Sequence, residues 1–236
     1  MTASGSANLA TTVIWGGFAL AFVFGAIANR SNFCTMGALS DIVNMGHWGR
    51  MRMWLLAIAV AILGTAALAY TGQVDLAKSV AQRPTLPVLS LIVGGLVFGV
   101  GMTLAGGCAN KNLVRLGGGS LRSLVVLVFM AIASYMTLKG LFAAGRAAWL
   151  DPVAINLGAA GWANQGLGEA LAHVGGWNAR GAQLAAALVI GLALLALAFK
   201  DARFRGNTLQ VLGGTVLGAL AVAAWHPTRP LGLGDN

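Results

Sequence analysis

The most regular feature of the chain is a series of long uncharged apolar stretches separated by short polar segments. A helix that crosses the hydrocarbon core of a bilayer, which is about 30 Å thick, needs roughly 20 apolar residues. We predict one transmembrane helix in each of the stretches 9–28, 53–70, 86–104, 124–138, 184–199 and 209–225. The pattern therefore predicts an all-α integral membrane protein with about six transmembrane helices.

Composition agrees with a lipid environment. Hydrophobic residues make up 58% of the chain and charged residues 9%, whereas soluble domains carry about 25% charged residues. A cleaved secretory signal begins with a basic segment, but residues 1–29 contain no charged side chain. We therefore expect residues 9–28 to stay in the protein as a helix that contacts membrane lipid.

The net charge of +9 comes from basic residues in short segments between the predicted helices. This arrangement indicates membrane topology and not nucleic-acid binding, since short cytoplasmic segments are rich in lysine and arginine. With the N-terminus outside, the inner residues are Arg30, Arg50, Arg52, Lys111, Arg115, Arg122, Lys200, Arg203 and Arg205, and the outer ones are Lys78, Arg83, Lys139, Arg146, Arg180 and Arg229. The excess on the inner side predicts an N-terminus outside.

Two parts of the chain share a pattern at a constant offset of 74 residues. One Phe-Gly pair ends nine residues before Cys34, and a second pair ends nine residues before Cys108. Each pair lies in an apolar stretch, and each cysteine lies in the polar turn that follows. We therefore predict a duplicated two-span unit in parallel orientation, with copies at about 9–71 and 84–142.

The chain around both cysteines is unusual for a loop. Residues 32–43 are amphiphilic and too short to span a bilayer, so we predict a half-helix there. In the second copy, two glycines interrupt a helix that should still lie in or near the membrane. Irregular backbone at that depth must be surrounded by protein or water, so both re-entrant or half-helix segments should line an internal path. The predicted path-lining residues are Asn32, Thr35, Gly37, Gly106, Gly107 and Asn110.

The remaining chain completes a single membrane domain over residues 1–236. Residues 146–180 are rich in Gly, Ala, Asn and Trp but contain no long apolar run. We predict that they form an extramembrane or interfacial connection. Residues 181–236 should then hold two further spans and a tail.

Three roles are open for the cysteines: substrate-contacting thiols, inert packing, and a disulfide or redox function. Their separation excludes a CxxC redox centre. The histidines His47, His173 and His226 are isolated, so we predict neither a metal site nor a cofactor. A thiol is mostly uncharged at neutral pH and donates a weak hydrogen bond. Such a group suits an anion that is held only briefly.

Charged and amide side chains flank both cysteines. Arg30 and Lys111 are candidates for drawing anions toward the path, and each also fits the role of a positive-inside anchor. Asp41 is the only acidic residue near either cysteine, and it is a candidate proton relay, helix-end residue or arginine partner. The asparagines near the turns could cap the half-helices or face the substrate, and we favour capping; they are Asn29, Asn32, Asn44, Asn110 and Asn112.

Several stretches of this sequence resemble one known family. They are Asn-Arg-Ser-Asn-Phe-Cys-Thr-Met-Gly-Ala at 29–38, Ser-Asp-Ile-Val-Asn-Met-Gly at 40–46, Arg-Met-Trp-Leu-Leu-Ala at 52–57, Gly-Val-Gly-Met-Thr-Leu-Ala-Gly-Gly-Cys at 99–108 and Tyr-Met-Thr-Leu at 135–138. Together they are similar to the YeeE/YedE sulfur transporter family, whose studied members take up thiosulfate. The resemblance covers much of residues 15–152.

The resemblance implies a multi-pass protein of the bacterial inner membrane that is a permease and not an enzyme. Cys34 and Cys108 match two pathway cysteines of the family, which pass thiosulfate inward along an hourglass-like path. A small cytosolic sulfur carrier of the TusA type is an implied partner. Longer members carry a second half with a further Gly-Cys-Thr turn, which this sequence lacks. We therefore expect a half-size or truncated member that pairs with itself or with a second half-size membrane chain.

Two other functions remain as alternatives to a permease for thiosulfate or a related sulfur oxyanion. The first is a membrane thiol oxidoreductase or sulfurtransferase that forms a persulfide on Cys34 or Cys108. The second is a subunit of a larger membrane complex that transports nothing alone.

Overall fold

A computed structural model of the chain describes residues 3–73, 85–149, 152, 154–157, 166–175 and 178–225. The helices in these ranges are α1 (Ala3–Arg30), α2 (Thr35–Met45), α3 (Gly49–Tyr70), α4 (Val88–Leu104), α5 (Ala109–Gly117), α6 (Leu121–Lys139), α7 (Leu141–Trp149), α8 (Leu167–Gly175), α9 (Ala179–Phe199), α10 (Ala202–Gly206) and α11 (Thr208–Ala223). Two short strands, β1 (Thr85–Leu86) and β2 (Ile155–Asn156), complete the described elements.

The apolar stretches of the sequence form the long helices. In the part of the chain that the structure describes, five segments are long and apolar enough to cross a membrane: Thr11–Met45, Gly49–Tyr70, Val88–Gly117, Leu121–Lys139 and Gly181–Phe199. The sixth predicted span corresponds to α11, whose 16 residues make a helix roughly 24 Å long at the usual rise per residue. The prediction of an all-α, multi-pass membrane protein is therefore confirmed.

The core of the structure is α3, against which α9 and α11 pack. Glycines on α11 allow the two backbones to approach closely. A Cβ on Gly214 would lie 2.8 Å from the carbonyl oxygen of Met53, and one on Gly218 would lie 2.6 Å from that of Ala57. Small residues often form the contacts between membrane helices, because association there depends on close packing. The end of α1 also packs on this core, where Ala28 contacts Ala57 and Leu217.

The second group of helices lies largely outside this core. α5 packs on α6, α6 packs on α7, and α5 also touches α1. No residue of α4 is buried, and α4 makes no extensive contact with another element in the described ranges. The Cys34 segment is therefore held by a packed core, whereas the Cys108 segment belongs to a more open group of helices.

The order of elements follows the predicted repeat. A long helix, a short helix that starts just after a cysteine, and a second long helix occur as α1, α2 and α3, and again as α4, α5 and α6. The interpretation of this order as a duplication of residues 9–71 and 84–142 stays a prediction.

The predicted connection at 146–180 is only partly described. Its described residues include the end of α7, strand β2 and helix α8, which packs on α9. β2 pairs antiparallel with β1, so Thr85 is opposite Asn156 and Leu86 is opposite Ile155. This pairing joins the chain before α4 to the chain after α7. The remaining residues of the connection, and the basic residues Lys78, Arg83 and Arg229, lie outside the described residues.

Candidate functional site

The first cysteine turn follows directly from the end of α1. Asn32 adopts a left-handed backbone conformation with φ 51°, which turns the chain, and the amide of Phe33 donates to the carbonyl of Ala28. Cys34 is extended and is the N-cap of α2. The backbone amide of Gly37 donates a hydrogen bond to Sγ of Cys34 at 3.4 Å. The thiol therefore satisfies one of the amides that a helix N-terminus leaves free.

The second cysteine turn is built from glycines. α4 ends at Leu104, and Gly106 then adopts φ 66°, a conformation that is costly for residues with a side chain. Cys108 is extended and is the N-cap of α5. Side-chain Nδ2 of Asn112 donates to the carbonyls of Gly107 at 3.2 Å and Cys108 at 3.4 Å, and the backbone amide of Asn112 also donates to the carbonyl of Cys108. The glycine break before the second cysteine is thus held in place by a buried amide.

The two cysteines meet. Sγ of Cys34 lies 3.5 Å from Sγ of Cys108, which is within the distance of a thiol–thiol hydrogen bond. Their relative exposures are 5% and 7%, and both are free thiols. The structure therefore brings two residues 74 positions apart to one point, at the N-termini of two short helices.

Amide and lysine side chains join the two turns. Asn110 donates from Nδ2 to the carbonyl of Phe33 at 3.2 Å, and Lys111 donates from Nζ to Oδ1 of Asn32 at 3.2 Å. Lys111 thus lies beside the first cysteine turn although it follows the second cysteine in sequence. Arg30 is exposed in the last turn of α1.

The expectation that asparagines cap the half-helices was wrong for α2 and α5. Their N-caps are Cys34 and Cys108. Asn110 and Asn112 lie inside α5, after its first residue, so they cannot occupy the cap. Their amides are used to join the two turns and to brace the glycine break.

An ion pair between Asp41 and an arginine lies next to the first cysteine. Asp41 is buried on α2, and its Oδ2 lies 3.2 Å from Nε of Arg50 on α3. Nη1 of the same arginine lies 2.7 Å from the point that a Cβ on Gly37 would occupy, and Sγ of Cys34 lies 3.7 Å from that point. Asp41 is thus an arginine partner, which was one of its predicted roles. Its isolated negative charge near a basic segment was the only sequence signal for this pair.

A second arginine of the same helix turn has a different partner. Nη1 of Arg52 lies 3.5 Å from Oδ2 of Asp201, which caps α10. The first turn of α3 therefore directs one arginine toward the cysteines and another toward α10. Within the described residues, no group of three His, Cys, Asp or Glu side chains could hold a metal ion.

Comparison with known proteins identifies the family of this chain. A family model described as "Sulphur transport" matches residues 30–234. The chain belongs to the sulphur transport family. The predicted family resemblance is therefore confirmed, and the match includes both cysteine turns.

Two curated proteins are similar in sequence to part of this chain. A protein named thiosulfate transporter TsuA from Spirochaeta thermophila is 28% identical over 130 residues, which cover 55% of this chain and 38% of that protein. A protein of the same name from Escherichia coli K12 is 27% identical over 140 residues, covering 59% of this chain and 37% of that protein. The matched part thus spans less than two fifths of either relative. No solved structure matches the chain.

Proposed function

We propose that this chain forms a membrane permease for thiosulfate or a related inorganic sulfur oxyanion, along a path lined by Cys34 and Cys108. The observation that carries the proposal is the 3.5 Å approach of the two thiols at two helix N-termini. Membership of the sulphur transport family supports it, as do relatives that are named thiosulfate transporters.

The chemistry of the site suits an anion that must bind and leave. The N-termini of α2 and α5 offer backbone amides and the positive ends of two helix dipoles. The thiols add weak donors, which interact with a sulfur atom without holding it as tightly as an ammonium group would. A path of this kind lowers the cost of removing the anion from water and still permits its release. No chemical conversion of the substrate is required, so we propose transport and not catalysis.

The orientation follows from charge. Arg50, Arg52, Lys111 and Arg115 lie on the same side of the predicted spans, and the positive-inside rule assigns that side to the cytoplasm. The cysteine turns would then face the cytoplasmic half of a bacterial inner membrane, with the N-terminus outside. A TusA-like sulfur carrier would receive the substrate on this side.

Further membrane helices would complete the path. α4 is apolar, has no buried residue and makes no extensive contact within the described chain. We propose that helices of a second copy, or of another membrane chain, cover it. Co-purification of two differently tagged copies in mild detergent tests the homodimer, and recovery of the tagged chain alone would contradict it.

Uptake of radiolabelled thiosulfate into cells or proteoliposomes tests the permease. We expect Cys34→Ala and Cys108→Ala each to lower uptake at least about tenfold, since each removes one of two donors from the site. The serine variants should retain part of the activity, because a hydroxyl also donates. Thr215→Ala on α11 is the control, since this side chain bonds only to its own helix. Normal uptake by both alanine variants would contradict the thiol path.

The short distance between the thiols also favours one other function, that of a sulfurtransferase. In that reaction a cysteine thiolate attacks the terminal sulfur of thiosulfate, a new S–S bond forms, the original S–S bond breaks, and sulfite leaves with the bonding electrons. The product is a persulfide that the second thiol could reach. Mass spectrometry after exposure to thiosulfate tests this alternative: one added sulfur on Cys34 or Cys108 supports it, and unmodified cysteines exclude it.

A further inference from the structure

The ion pair between Asp41 and Arg50 directs a guanidinium toward the first cysteine turn. Gly37 lies in the first turn of α2 and has no side chain, so the guanidinium can approach the backbone there. Nη1 of Arg50 would be 2.7 Å from a Cβ at this position, a distance that real side-chain atoms do not adopt. The glycine therefore leaves the space that the arginine occupies, on the side of α2 where the Cys34 thiol also lies.

Asp41 orients this arginine. The carboxylate is buried, with a residue exposure of 7%, and it contacts Nε of Arg50. Because the carboxylate contacts Nε of the guanidinium, Nη1 is left for other partners. Nη1 faces Gly37. The arginine side chain is 37% exposed, so solvent and a small ion can reach it.

The other cations near the thiols are bound to neutral groups. Lys111 donates to Oδ1 of Asn32, and Arg115 donates to the carbonyl of Gly106 at 3.0 Å. Arg30 ends α1 directly before the first cysteine turn and is exposed. Four positive charges and one carboxylate therefore surround the two cysteine turns. This excess of positive charge favours an anion, and the planar guanidinium is the group best suited to bind two of its oxygens at once.

We propose that Arg50, oriented by Asp41, binds the oxygens of the transported anion and determines its specificity. This inference rests on the proposed function. A sulfur oxyanion such as thiosulfate has an oxygen-bearing end and a sulfur end. The guanidinium binds the first, and the thiols of Cys34 and Cys108 bind the second. An ion with only one of these ends makes only half of the contacts.

Kinetics of thiosulfate uptake test the role of Arg50, with Arg52 as a matched control. Both arginines lie in the first turn of α3 and both pair with an aspartate, so Arg50→Gln and Arg52→Gln remove the same charge from the same helix end. We expect Arg50→Gln to raise KM about tenfold or more with a largely unchanged maximal rate, because a charged hydrogen bond is lost. Arg52→Gln should leave KM unchanged. Equal KM values for the wild type and a folded Arg50→Gln variant would overturn the inference.

A lysine variant separates binding from a structural role. Arg50→Lys keeps the positive charge and can still pair with Asp41, but it loses the planar fork of donors. We expect its KM to lie between those of the wild type and Arg50→Gln. If the glutamine variant fails to fold, the lysine variant alone decides, and a wild-type KM for it would overturn the inference.

Protection of the thiols gives a readout that does not depend on transport. In purified protein, thiosulfate should slow the alkylation of Cys34 and Cys108 by N-ethylmaleimide, and this protection should be lost in Arg50→Gln but kept in Arg52→Gln. A wild type with neither uptake nor protection would refute the proposed function itself. A wild type with both, beside an Arg50→Gln variant that keeps its KM and its protection, would refute only the role of Arg50.

Discussion

Asn112 is a polar side chain whose burial has a clear structural purpose. It is 2% exposed, and its amide donates to two consecutive carbonyls at the turn before α5. A buried carbonyl without a donor costs free energy, and this side chain is the donor to the carbonyl of Gly107 and a second donor to that of Cys108, beside the backbone amide of Asn112. Asn112 therefore braces the turn before Cys108, together with Arg115, which donates to the carbonyl of Gly106.

We expect Asn112→Ala to lower the free energy of unfolding by about 2 kcal/mol, since the buried carbonyl of Gly107 loses its side-chain donor, whereas that of Cys108 keeps the backbone amide of residue 112. Equilibrium unfolding of the purified protein in detergent measures this change. Asn44→Ala is the control, because Asn44 is exposed and bonds only to Ser40 on the same helix, and its effect should stay within about 0.5 kcal/mol. Similar effects of the two substitutions would contradict the bracing role.

The short helices α2 and α5 bring the two halves of the site together. Each begins at a cysteine, and the polar contacts from Asn110 and Lys111 hold the two beginnings side by side. Because the thiols come from separate helix groups, their distance reports directly on how those groups are placed.

Oxidation tests this placement. Treatment of the membrane protein with diamide, which accepts both thiol hydrogens, should give a disulfide between Cys34 and Cys108 within one chain, since the sulfur atoms lie 3.5 Å apart. Peptide mapping under non-reducing conditions identifies the linked peptides, and reduction should separate them. A Cys108→Ser protein provides the control and should give no intrachain link. Exclusively intermolecular disulfides in the wild type would contradict the arrangement.

The sequence predicts the helices and the breaks between them well, but it predicts contacts between distant residues poorly. Apolar length predicts the long helices, and Gly106 and Gly107 predict the break before Cys108. The pairing of Arg50 with Asp41 depends on the angle between α2 and α3, which no local pattern encodes. The N-caps were also missed. Asparagine is a commoner N-cap than cysteine, but the position at which each turn ends makes a cysteine the residue before the helix.

The whole molecule has two ends that carry different contacts. At one end, Arg52 at the start of α3 pairs with Asp201, which follows α9. At the other end, β1 before α4 pairs with β2 after α7. Each pairing joins segments that are far apart in the sequence, and the predicted topology puts the first on the inner side and the second on the outer side of the membrane.

Labelling of single cysteines tests the orientation of these ends. In a protein with both native cysteines replaced by serine, Arg205→Cys should be protected from an impermeant maleimide in intact cells, and Ile155→Cys should react. The reason is that the basic segment after α9 belongs inside by the positive-inside rule, whereas β2 lies at the other end. Permeabilised cells, in which both should react, provide the control. The reverse labelling pattern would place the N-terminus inside.

The meeting of Cys34 and Cys108 has a consequence for how the protein is made. A ribosome adds about 5–20 residues per second, so the second cysteine is synthesised roughly 4 to 15 seconds after the first. During that interval the chain contains one cysteine turn, and the contact between the two thiols has not yet formed. Under the proposed function, a chain that stalls before α5 would therefore offer an anion only one of the two thiols.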